Sequence, residues 1–289
     1  LLLEKTPARG GTTGRAVGSV TAAATPFQRR AGIEDSTERY FADLDLYVHP
    51  DGAEDDLALR RVLTQNAGPT LDWLVSLGLV FTGPNPEPPH TRPRMHNVLP
   101  GAKAFIHCLA GHCRRRGVEI RCAHTVEALS TDGPRVIGVR ARAQGGEVQL
   151  RAGRAVILTS GDYSADGALR RRHLPAEAQT FAAINPANTG DGHLMAEALG
   201  AKTLNGHIFS GPEIRFPPPE RPGLVDRLPQ GRLMGLAARM ALHTLPRWMM
   251  RPLVVSTMTA AMAPSPGLFA EGAILINAEG RRFAEETAD

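Results

Sequence analysis

The first 13 residues constrain the fold of this chain more than any other stretch. An apolar run at residues 1–3 ends at the acidic Glu4, and a short turn leads to Gly10, Gly11, Thr12 and Thr13. The second strand of a dinucleotide-binding βαβ unit ends in this way, because its acidic residue binds ribose hydroxyls and a glycine fingerprint lies about 20 residues earlier. No such fingerprint precedes Glu4 in the sequence. We therefore expect a dinucleotide-binding fold that lacks its first βα unit.

The composition is that of a globular protein without a strong charge bias. The 289 residues can bury a large core and suggest two domains, and 42% of them are hydrophobic. The net charge of +4 is mild, and 5% aromatic residues are too few for the basic, aromatic face of a nucleic-acid-binding protein. A small positive charge favours an anionic substrate or a dinucleotide. Nucleic acid is therefore not an expected partner.

Cysteine content and hydropathy favour a cytoplasmic protein. Three cysteines are too few for a disulfide framework in a chain of 289 residues, and the nearby histidines are read as helix residues rather than metal ligands. The most apolar stretch, residues 253–276, contains two prolines and a glutamate, which make it a poor membrane span. We expect no metal site and no membrane span.

Two loops carry residues of chemical interest. Residues 10–33 are rich in Gly, Ala and Thr, which suits either close approach to a phosphate or a flexible loop, and composition leaves both open. Residues 82–101 are rich in proline and form a long predicted loop, a length typical of functional segments. Its basic residues either line a pocket or face water; they are His90, Arg92, Arg94 and His96.

Three helices are predicted between these loops. Asp35 and Glu38 have the spacing of a capping box, which predicts a helix that ends near His49-Pro50. A second helix is predicted over residues 53–67 and a third over residues 70–77, opened by Pro69. The second is expected to face the core with Leu57, Leu59, Val62 and Leu63.

From residue 101 the pattern changes from helix to strand. A helix is predicted over residues 101–116, and short alternating strands follow at residues 118–122, 136–140 and 147–150. They predict an antiparallel meander. The apolar run at residues 154–161 then predicts a buried parallel strand, and α/β sheets place ligands at the carboxyl ends of such strands.

The Gly-Asp-Gly turn at residues 190–192 precedes a predicted helix that ends at Gly200. Asp191 either caps this helix or holds a ligand together with the helix amides, and the local pattern favours the cap. Residues 232–262 are predicted to be helical, with methionines that fill a core or line an adaptable pocket. Residues 272–277 predict a final strand.

Several motifs occur in the order typical of one family. They are Leu-Glu-Lys at residues 3–5, Gly-Gly-Thr-Thr at 10–13, the meander, Val-Ile-Leu-Thr-Ser-Gly at 156–161, Asn-Thr-Gly-Asp-Gly at 188–192, and Ile-Leu-Ile-Asn-x-x-Gly-x-Arg-Phe-x-x-Glu at 274–286. Together they resemble the FAD-binding flavoproteins of the fumarate reductase/succinate dehydrogenase family, which includes the 3-ketosteroid Δ1-dehydrogenases. The resemblance implies an α/β fold: a Rossmann-like FAD-binding domain with an antiparallel meander over residues 1–206, and an inserted α+β capping domain that begins at residue 207, both incomplete.

The resemblance also implies a set of cofactor-binding residues. Glu4 would hold the adenosine ribose, the Gly-Gly-Thr-Thr loop would line the pyrophosphate and the flavin edge, and the backbone near Val126 would face the adenine. This context favours ligand contact over capping at Asp191. The implied residues are Glu4, Lys5, Gly10, Gly11, Thr12, Thr13, Gly18, Val126, Ser160, Gly161 and Asp191. No histidine lies in residues 1–48, so we expect non-covalent FAD.

The activity that the resemblance implies is hydride transfer between the flavin and a C–C bond beside a carbonyl or carboxylate, with a small-molecule substrate and a separate electron donor or acceptor. The sequence departs from the family where Asp162 replaces a second glycine, and where Gly211-Pro212 and Ser265-Pro266 replace residues that bind a dicarboxylate. These departures favour a larger, more apolar substrate, such as a ketosteroid-like ring. No catalytic residue is assigned. The alternative is a non-catalytic fragment that binds no flavin.

Overall fold

The computed structural model describes residues 1–47, 54–209, 228–246, 248–249, 269, 271–277 and 279–285. They form three small sheets and a set of helices, and the predicted α/β class is confirmed. The strands are β1 Leu2–Leu3, β2 Ser19–Thr21, β3 Val80–Asn85, β4 Met95–Leu99, β5 Ile120–Arg121, β6 Thr125–Asp132, β7 Arg135–Ala143 and β8 Gly146–Arg151. The helices are α1 Pro26–Arg30, α2 Thr37–Asp43, α3 Leu57–Ser76, α4 Lys103–Arg115, α5 Gly167–His173, α6 Asp191–Glu197 and α7 Arg232–Thr244.

The N-terminal strand belongs to a parallel pair. β1 pairs with β5 in the register Leu2 to Ile120, and the backbone N–H of Glu4 donates to the carbonyl of Arg121 at 2.9 Å. The strand predicted over residues 118–122 is therefore part of this parallel pair, and its assignment to the meander was wrong. Alternating hydropathy marks a strand but does not tell which partner it binds.

The meander consists of β6, β7 and β8 in that order, all antiparallel. Its first strand, β6, was not predicted. The pairing register of β6 shifts between Val126 and Ala128 and again between Ser130 and Thr131. Each irregularity moves the side chains to the other face, so the sequence of β6 lacks the period of two that marks a regular strand.

The buried strand predicted over residues 154–161 does not form. None of the described strands pairs with this segment, and the side chain of Ile157 is 83% exposed. An apolar run becomes a buried strand only where a neighbouring strand binds its backbone groups, and the described part of the chain supplies none here.

The core lies between α3, α4 and the sheet of order β2-β4-β3. Leu71, Phe81 and Val98 are at most 2% exposed, and Phe81 packs against the ring of Phe105. This core positions β2, and with it the glycine loop at residues 10–18, against the N-terminal end of α4.

One continuous helix, α3, replaces the two helices that were predicted over residues 53–77. Pro69 lies inside it, and residues 51–53 lie outside the described residues. The predicted inward face was also wrong, since all four of its apolar residues are more than 50% exposed: Leu57, Leu59, Val62 and Leu63. The buried face is instead Arg60, Thr64, Ala67, Gly68, Leu71 and Leu74. A Cβ on Gly68 would lie 2.9 Å from the carbonyl oxygen of Ala23. This face of α3 is therefore buried because its small residues allow the helix to approach the backbone of Ala23, and not because its side chains are large and apolar.

The C-terminal part contributes α7, which packs on β3 and β4. A Cβ on Gly235 would lie 2.9 Å from the carbonyl oxygen of Leu99 and 3.0 Å from Val80 Cβ, so the helix approaches the sheet closely. The helix predicted over residues 232–262 is confirmed over Arg232–Thr244, and residues 250–262 lie outside the described residues. The strand predicted over residues 272–277 is reduced to one antiparallel bridge between Ile276 and Arg282. The division into domains at residue 206 stays a prediction.

Candidate functional site

The glycine loop leaves β1 with open backbone on one side. Gly10 and Gly11 have φ values of 143° and 50°, and a Cβ on either would have no protein atom within 4 Å. A left-handed backbone beside open space is what a loop needs when its N–H groups approach a ligand closely. Gly18 differs, because a Cβ there would lie 2.6 Å from Val98 Cγ1 and 3.0 Å from Ala102 Cα. Gly18 therefore allows the loop to pack on β4 and α4.

Thr12 ties this loop to a distant asparagine pair. Its hydroxyl oxygen accepts hydrogen bonds from Asn185 Nδ2 at 3.2 Å and from Asn188 Nδ2 at 3.0 Å. Both asparagines are about 5% exposed, at 6% and 5%, and Asn185 also donates to Asn188 Oδ1 at 2.9 Å. Neither residue was predicted as part of the site. Asn188 is the first residue of the Asn-Thr-Gly-Asp-Gly motif, but asparagines in a polar loop are a common turn signal, so the sequence did not single out either side chain.

Lys5 and Asp191 meet beside this network. Lys5 Nζ lies 2.7 Å from Asp191 Oδ2 and donates to Thr189 Oγ1 at 2.5 Å, and Thr189 donates in turn to Asp191 Oδ1 at 2.7 Å. Asp191 is the first residue of α6, not its cap. The cap position is held by Gly190, at φ +69° and without a side-chain hydrogen bond. The cap favoured locally for Asp191 was therefore wrong, and its carboxylate is used in a contact with the end of β1.

Glu4 retains one free carboxylate oxygen at the same strand end. Its Oε1 accepts from the backbone N–H and the hydroxyl of Thr6, both at 2.8 Å, while its backbone carbonyl accepts from His124 N–H at 3.0 Å. Within the described part of the chain no hydrogen bond is made by Oε2. The bonds to Oε1 thus hold the side chain in place, and Oε2 is able to accept from a pair of hydroxyl groups. Val126 lies two residues beyond His124 in β6.

Ser160 and Gly161 lie on the far side of the asparagine pair. Gly161 has φ +83°, and a Cβ there would lie 3.0 Å from Asn188 Oδ1, while Ser160 packs on Gly192 in the first turn of α6. The structure therefore gathers Lys5, Thr12 and Gly161 around the segment of residues 185–192, which contains Asp191. Thr13 begins a short 3₁₀ helix, Thr13–Arg15, which contacts α4.

Asp162 takes the place of a glycine without disturbing this arrangement. Its carboxylate accepts from Ser164 N–H and from Asn188 Nδ2, each at 2.7 Å, and its carbonyl accepts from Gly190 N–H at 3.1 Å. Burial raises the pKa of this carboxyl, but the hydrogen bonds from Ser164 and Asn188 outweigh it, and the pKa lies below its ordinary value. Asp162 is therefore a charged acceptor that orders the segment of residues 185–192.

The long loop predicted over residues 82–101 was wrong at both ends, which belong to β3 and β4, and three of its basic residues form an internal network rather than a pocket wall: His90, Arg94 and His96. Arg94 is fully buried, donates to Asp35 from Nε at 2.7 Å and from Nη2 at 2.8 Å, and donates from Nη1 to Asp43 at 2.5 Å. The predicted capping box fails for the same reason. Asp35 is occupied by Arg94, and Ser36 caps α2 by accepting from Arg39 N–H.

The two histidines of this segment, His90 and His96, also lie in the protein interior. His96 is fully buried, with Nε2 3.1 Å from Thr25 Oγ1 and Nδ1 3.3 Å from the carbonyl oxygen of Val20. Burial lowers the pKa of His96, and burial together with the positive charge of Arg94 lowers that of His90. Arg92 is exposed. The buried residues Arg94 and His96, together with His90, stabilise the sheet that carries the glycine loop.

Comparison with known proteins decides the family. A family described as FAD binding domain matches residues 1–234, more than half of the chain. The chain belongs to this family. The polar groups at this site fit FAD, the cofactor of the family. They are the open glycine backbone at residues 10 and 11, a lysine, and a glutamate with a free acceptor oxygen at a strand end.

Individual relatives of this FAD binding domain are reductases and dehydrogenases. NADH:fumarate oxidoreductase of Klebsiella pneumoniae is 27% identical over 209 residues, which are 71% of this chain and 22% of the relative. The open conformation of a flavocytochrome c3 fumarate reductase superposes with a TM-score of 0.64 at 24% identity, over 70% of this chain and 36% of that one.

A steroid enzyme has the same fold. The 3-ketosteroid-Δ4-(5α)-dehydrogenase of Rhodococcus jostii RHA1, solved with 4-androstene-3,17-dione, gives a TM-score of 0.62 at 26% identity, over 69% of this chain and 48% of that one. The FAD binding domain described here spans between about a fifth and a half of the length of these relatives.

Two further observations concern the FAD binding domain as far as the structure describes it. No helix there is both long and apolar enough to cross a bilayer. No group of three His, Cys, Asp or Glu side chains is placed to hold a metal ion in that same part.

Proposed function

We propose that this chain binds FAD non-covalently along the groove between the glycine loop and the segment of residues 185–192. The observation that carries the proposal is the convergence of Lys5 and Thr12, at 2.5–3.2 Å, on four polar residues far away in the sequence: Asn185, Asn188, Thr189 and Asp191. Glu4 would bind the ribose hydroxyls through its free oxygen. The N–H groups of Gly10 and Gly11 would bind the pyrophosphate, because left-handed backbone presents adjacent donors to an anion.

We further propose an oxidoreductase that acts on a C–C bond beside a carbonyl or carboxylate. FAD supplies the hydride-accepting or hydride-donating ring when it is bound. The residues of this chain orient it: Thr12 is locked by two buried asparagines, and Lys5 is locked by Asp191, so the groove is preorganised before the ligand arrives. An apolar, steroid-like substrate is favoured by the 26% identical steroid dehydrogenase and by the absence of dicarboxylate-binding residues noted in the sequence.

The first test is flavin binding by the purified chain. After incubation with FAD and gel filtration, we expect flavin absorbance to comigrate with the protein and to be released by acid precipitation. Lys5→Met is expected to weaken FAD binding about tenfold, because charge-assisted hydrogen bonds contribute about 1.5 kcal/mol or more. Lys202→Met is the matched control, since Lys202 is exposed and outside the groove.

The results separate the proposal from its alternative. The exposure of the apolar run around Ile157, 83% for that side chain, favours a non-catalytic fragment that binds no flavin. Absence of flavin from the wild-type protein would establish that alternative. Equal affinities of Lys5→Met and Lys202→Met would instead place the flavin elsewhere. With flavin bound, turnover of succinate but not of a 3-ketosteroid, measured with an artificial electron acceptor, would refute the substrate preference.

A further inference from the structure

A cavity outside the flavin groove lies between α3, α4 and α7. Its volume is about 330 Å³, which is at the lower end of small-molecule sites. The floor is apolar and comes from the C-terminal end of α3, the start of β3, the end of β4 and the first turn of α4. The floor residues are Leu77, Leu79, Val80, Leu99 and Ala104.

The rim of this cavity is basic. Arg114 and Arg115 come from the last turn of α4, and Arg232 comes from the first residue of α7. None of the three guanidinium groups makes a hydrogen bond or an ion pair with any residue that the structure describes, and no Asp or Glu is among the lining residues. His107 adds a further nitrogen base. The rim is therefore a cluster of uncompensated positive charge.

The two guanidinium groups of α4 approach the same point. A Cβ placed on Gly111 would lie 3.4 Å from Arg115 Nη1 and 4.0 Å from Arg114 Nη2, and one on Gly78 would lie 3.6 Å from Arg232 Cδ. The absence of side chains at these glycines allows the arginines to lie along the cavity wall. Like charges that converge in this way repel each other unless an anion lies between them.

Helix-terminus electrostatics accounts for only part of this arrangement. Arg114 and Arg115 lie at the C-terminal end of α4, where cations are favoured without any ligand. Arg232 is at the N-terminal end of α7, where a cation is disfavoured, and this first turn contains no acidic residue. The turn also has no side-chain cap at Gly231, so among the described residues no side chain accepts from its N–H groups. An anion at this end would satisfy both the N–H groups and Arg232.

A buried polar atom also indicates a ligand in this cavity. Gln230 lines the cavity, and its side-chain oxygen is buried without a hydrogen-bond partner in the described structure, while its Nε2 donates to the carbonyl of Leu228 at 2.9 Å. Buried acceptors of this kind are satisfied in native proteins by water or by a ligand group. The cavity thus combines a polar, cationic mouth with an apolar floor.

We propose that this cavity binds a phosphate monoester with a short apolar substituent. The phosphate would lie between Arg232, Arg115 and the first turn of α7, since helix N-termini and arginines together bind phosphate oxygens. The substituent would lie on Leu79 and Val80. The site shares no residue with the proposed flavin site, which contacts α4 through Thr13–Arg15.

Calorimetric titration with n-butyl phosphate tests the proposal on the purified chain. We expect saturable binding that weakens in high salt, with inorganic phosphate and butyrate each binding more weakly. Arg232→Gln and Arg115→Gln should each weaken binding about fivefold, the equivalent of about 1 kcal/mol. Arg116→Gln is the matched control, because Arg116 follows Arg115 directly, is exposed, and does not line the cavity.

Each other outcome overturns the proposal. Absence of saturable binding at millimolar n-butyl phosphate excludes the site, and equal losses in Arg232→Gln and Arg116→Gln reduce it to general charge attraction. Equal affinity for butyrate contradicts the choice of a phosphate. Displacement of n-butyl phosphate by FAD would mean that the probe occupies the flavin groove. Circular dichroism of the three variants, all at exposed positions, verifies that they are folded.

Discussion

Replacing Arg94 by methionine should destabilise the protein strongly, although Arg94 lies outside the flavin groove. The guanidinium is the common partner of two buried carboxylates: the side chain of Asp35 is 0% exposed and that of Asp43 is 9% exposed. Burial raises the pKa of the Asp43 carboxyl, but hydrogen bonds from Thr91 and Arg94 outweigh it and hold the pKa below its ordinary value. Arg94→Met removes the charge and keeps most of the aliphatic volume.

The magnitude follows from what the two carboxylates retain. Removing one partner of a buried ion pair costs about 3–5 kcal/mol. Asp35 keeps a hydrogen bond from Gln28 Nε2 at 2.8 Å, and Asp43 keeps Thr91 N–H at 2.7 Å, so the lower end applies. We expect a loss of about 3 kcal/mol at pH 7, which with a urea slope of about 3 kcal/mol/M lowers the unfolding midpoint by about 1 M.

Acidification provides the decisive check. Without Arg94 the Asp43 carboxyl is disfavoured as an anion in the folded state, so its folded pKa rises and its share of the penalty disappears once it is protonated. The difference between wild type and Arg94→Met should therefore shrink as the pH falls from 7 to 5. Arg92→Met is the control, since Arg92 is exposed two residues away. A deficit equal to that of Arg92→Met, or one that does not change with pH, would refute this reasoning.

Three more predictions concern α7, the segment of residues 185–192 and the dependence of stability on pH. Gly235→Val should detach α7 from β3 and increase proteolysis within α7, because its Cβ would lie 2.9 Å from the carbonyl oxygen of Leu99; unchanged digestion would contradict the close packing. Asn188→Leu should weaken FAD binding about tenfold, since it removes the hydrogen bonds to Thr12 and Asp162; fluorescence titration with FAD measures it, and wild-type affinity would argue against a role for this loop. Stability should fall as the pH drops below about 6.5, because the folded pKa values of His90 and His96 lie below the ordinary 6.5 and the unfolded chain then binds more protons; a urea midpoint constant from pH 8 to pH 5 would contradict this.

Sequence motifs were informative where function requires a particular residue type beside the backbone. The Leu-Glu-Lys and Gly-Gly-Thr-Thr motifs and the Gly-Asp-Gly turn led to the selection of Lys5, Thr12 and Asp191, and the structure brings all three together within the segment of residues 185–192 and its contacts. Of the two asparagines that lock Thr12, Asn188 entered only as part of the Asn-Thr-Gly-Asp-Gly motif and Asn185 not at all, because asparagines in a polar loop are common for other reasons. Their role depends on a tertiary contact that no local pattern encodes.

Hydropathy misled where packing depends on close backbone approach. In α3 the larger apolar side chains, such as Leu59 and Leu63, face outward, while Arg60 and Gly68 face the core. Gly68 fits against Ala23, and Arg60 is buried because Asp45 and Asp55 neutralise it at 2.7 Å each. A prediction that ranks residues by hydrophobicity selects the wrong face of such a helix, since neither reason is visible in the periodicity.

The link between Lys5 and residues 189 and 191 also bears on how the protein is made. The hydrogen-bonded atoms are separated by 184 and 186 residues, so closing this contact costs about 2 kcal/mol more chain entropy than closing a 20-residue loop. During synthesis Lys5 emerges 186 residues before its acidic partner, Asp191. Cofactor capture would therefore be a late step on the ribosome, and a nascent chain halted before Asp191 would present the glycine loop without the segment that closes it.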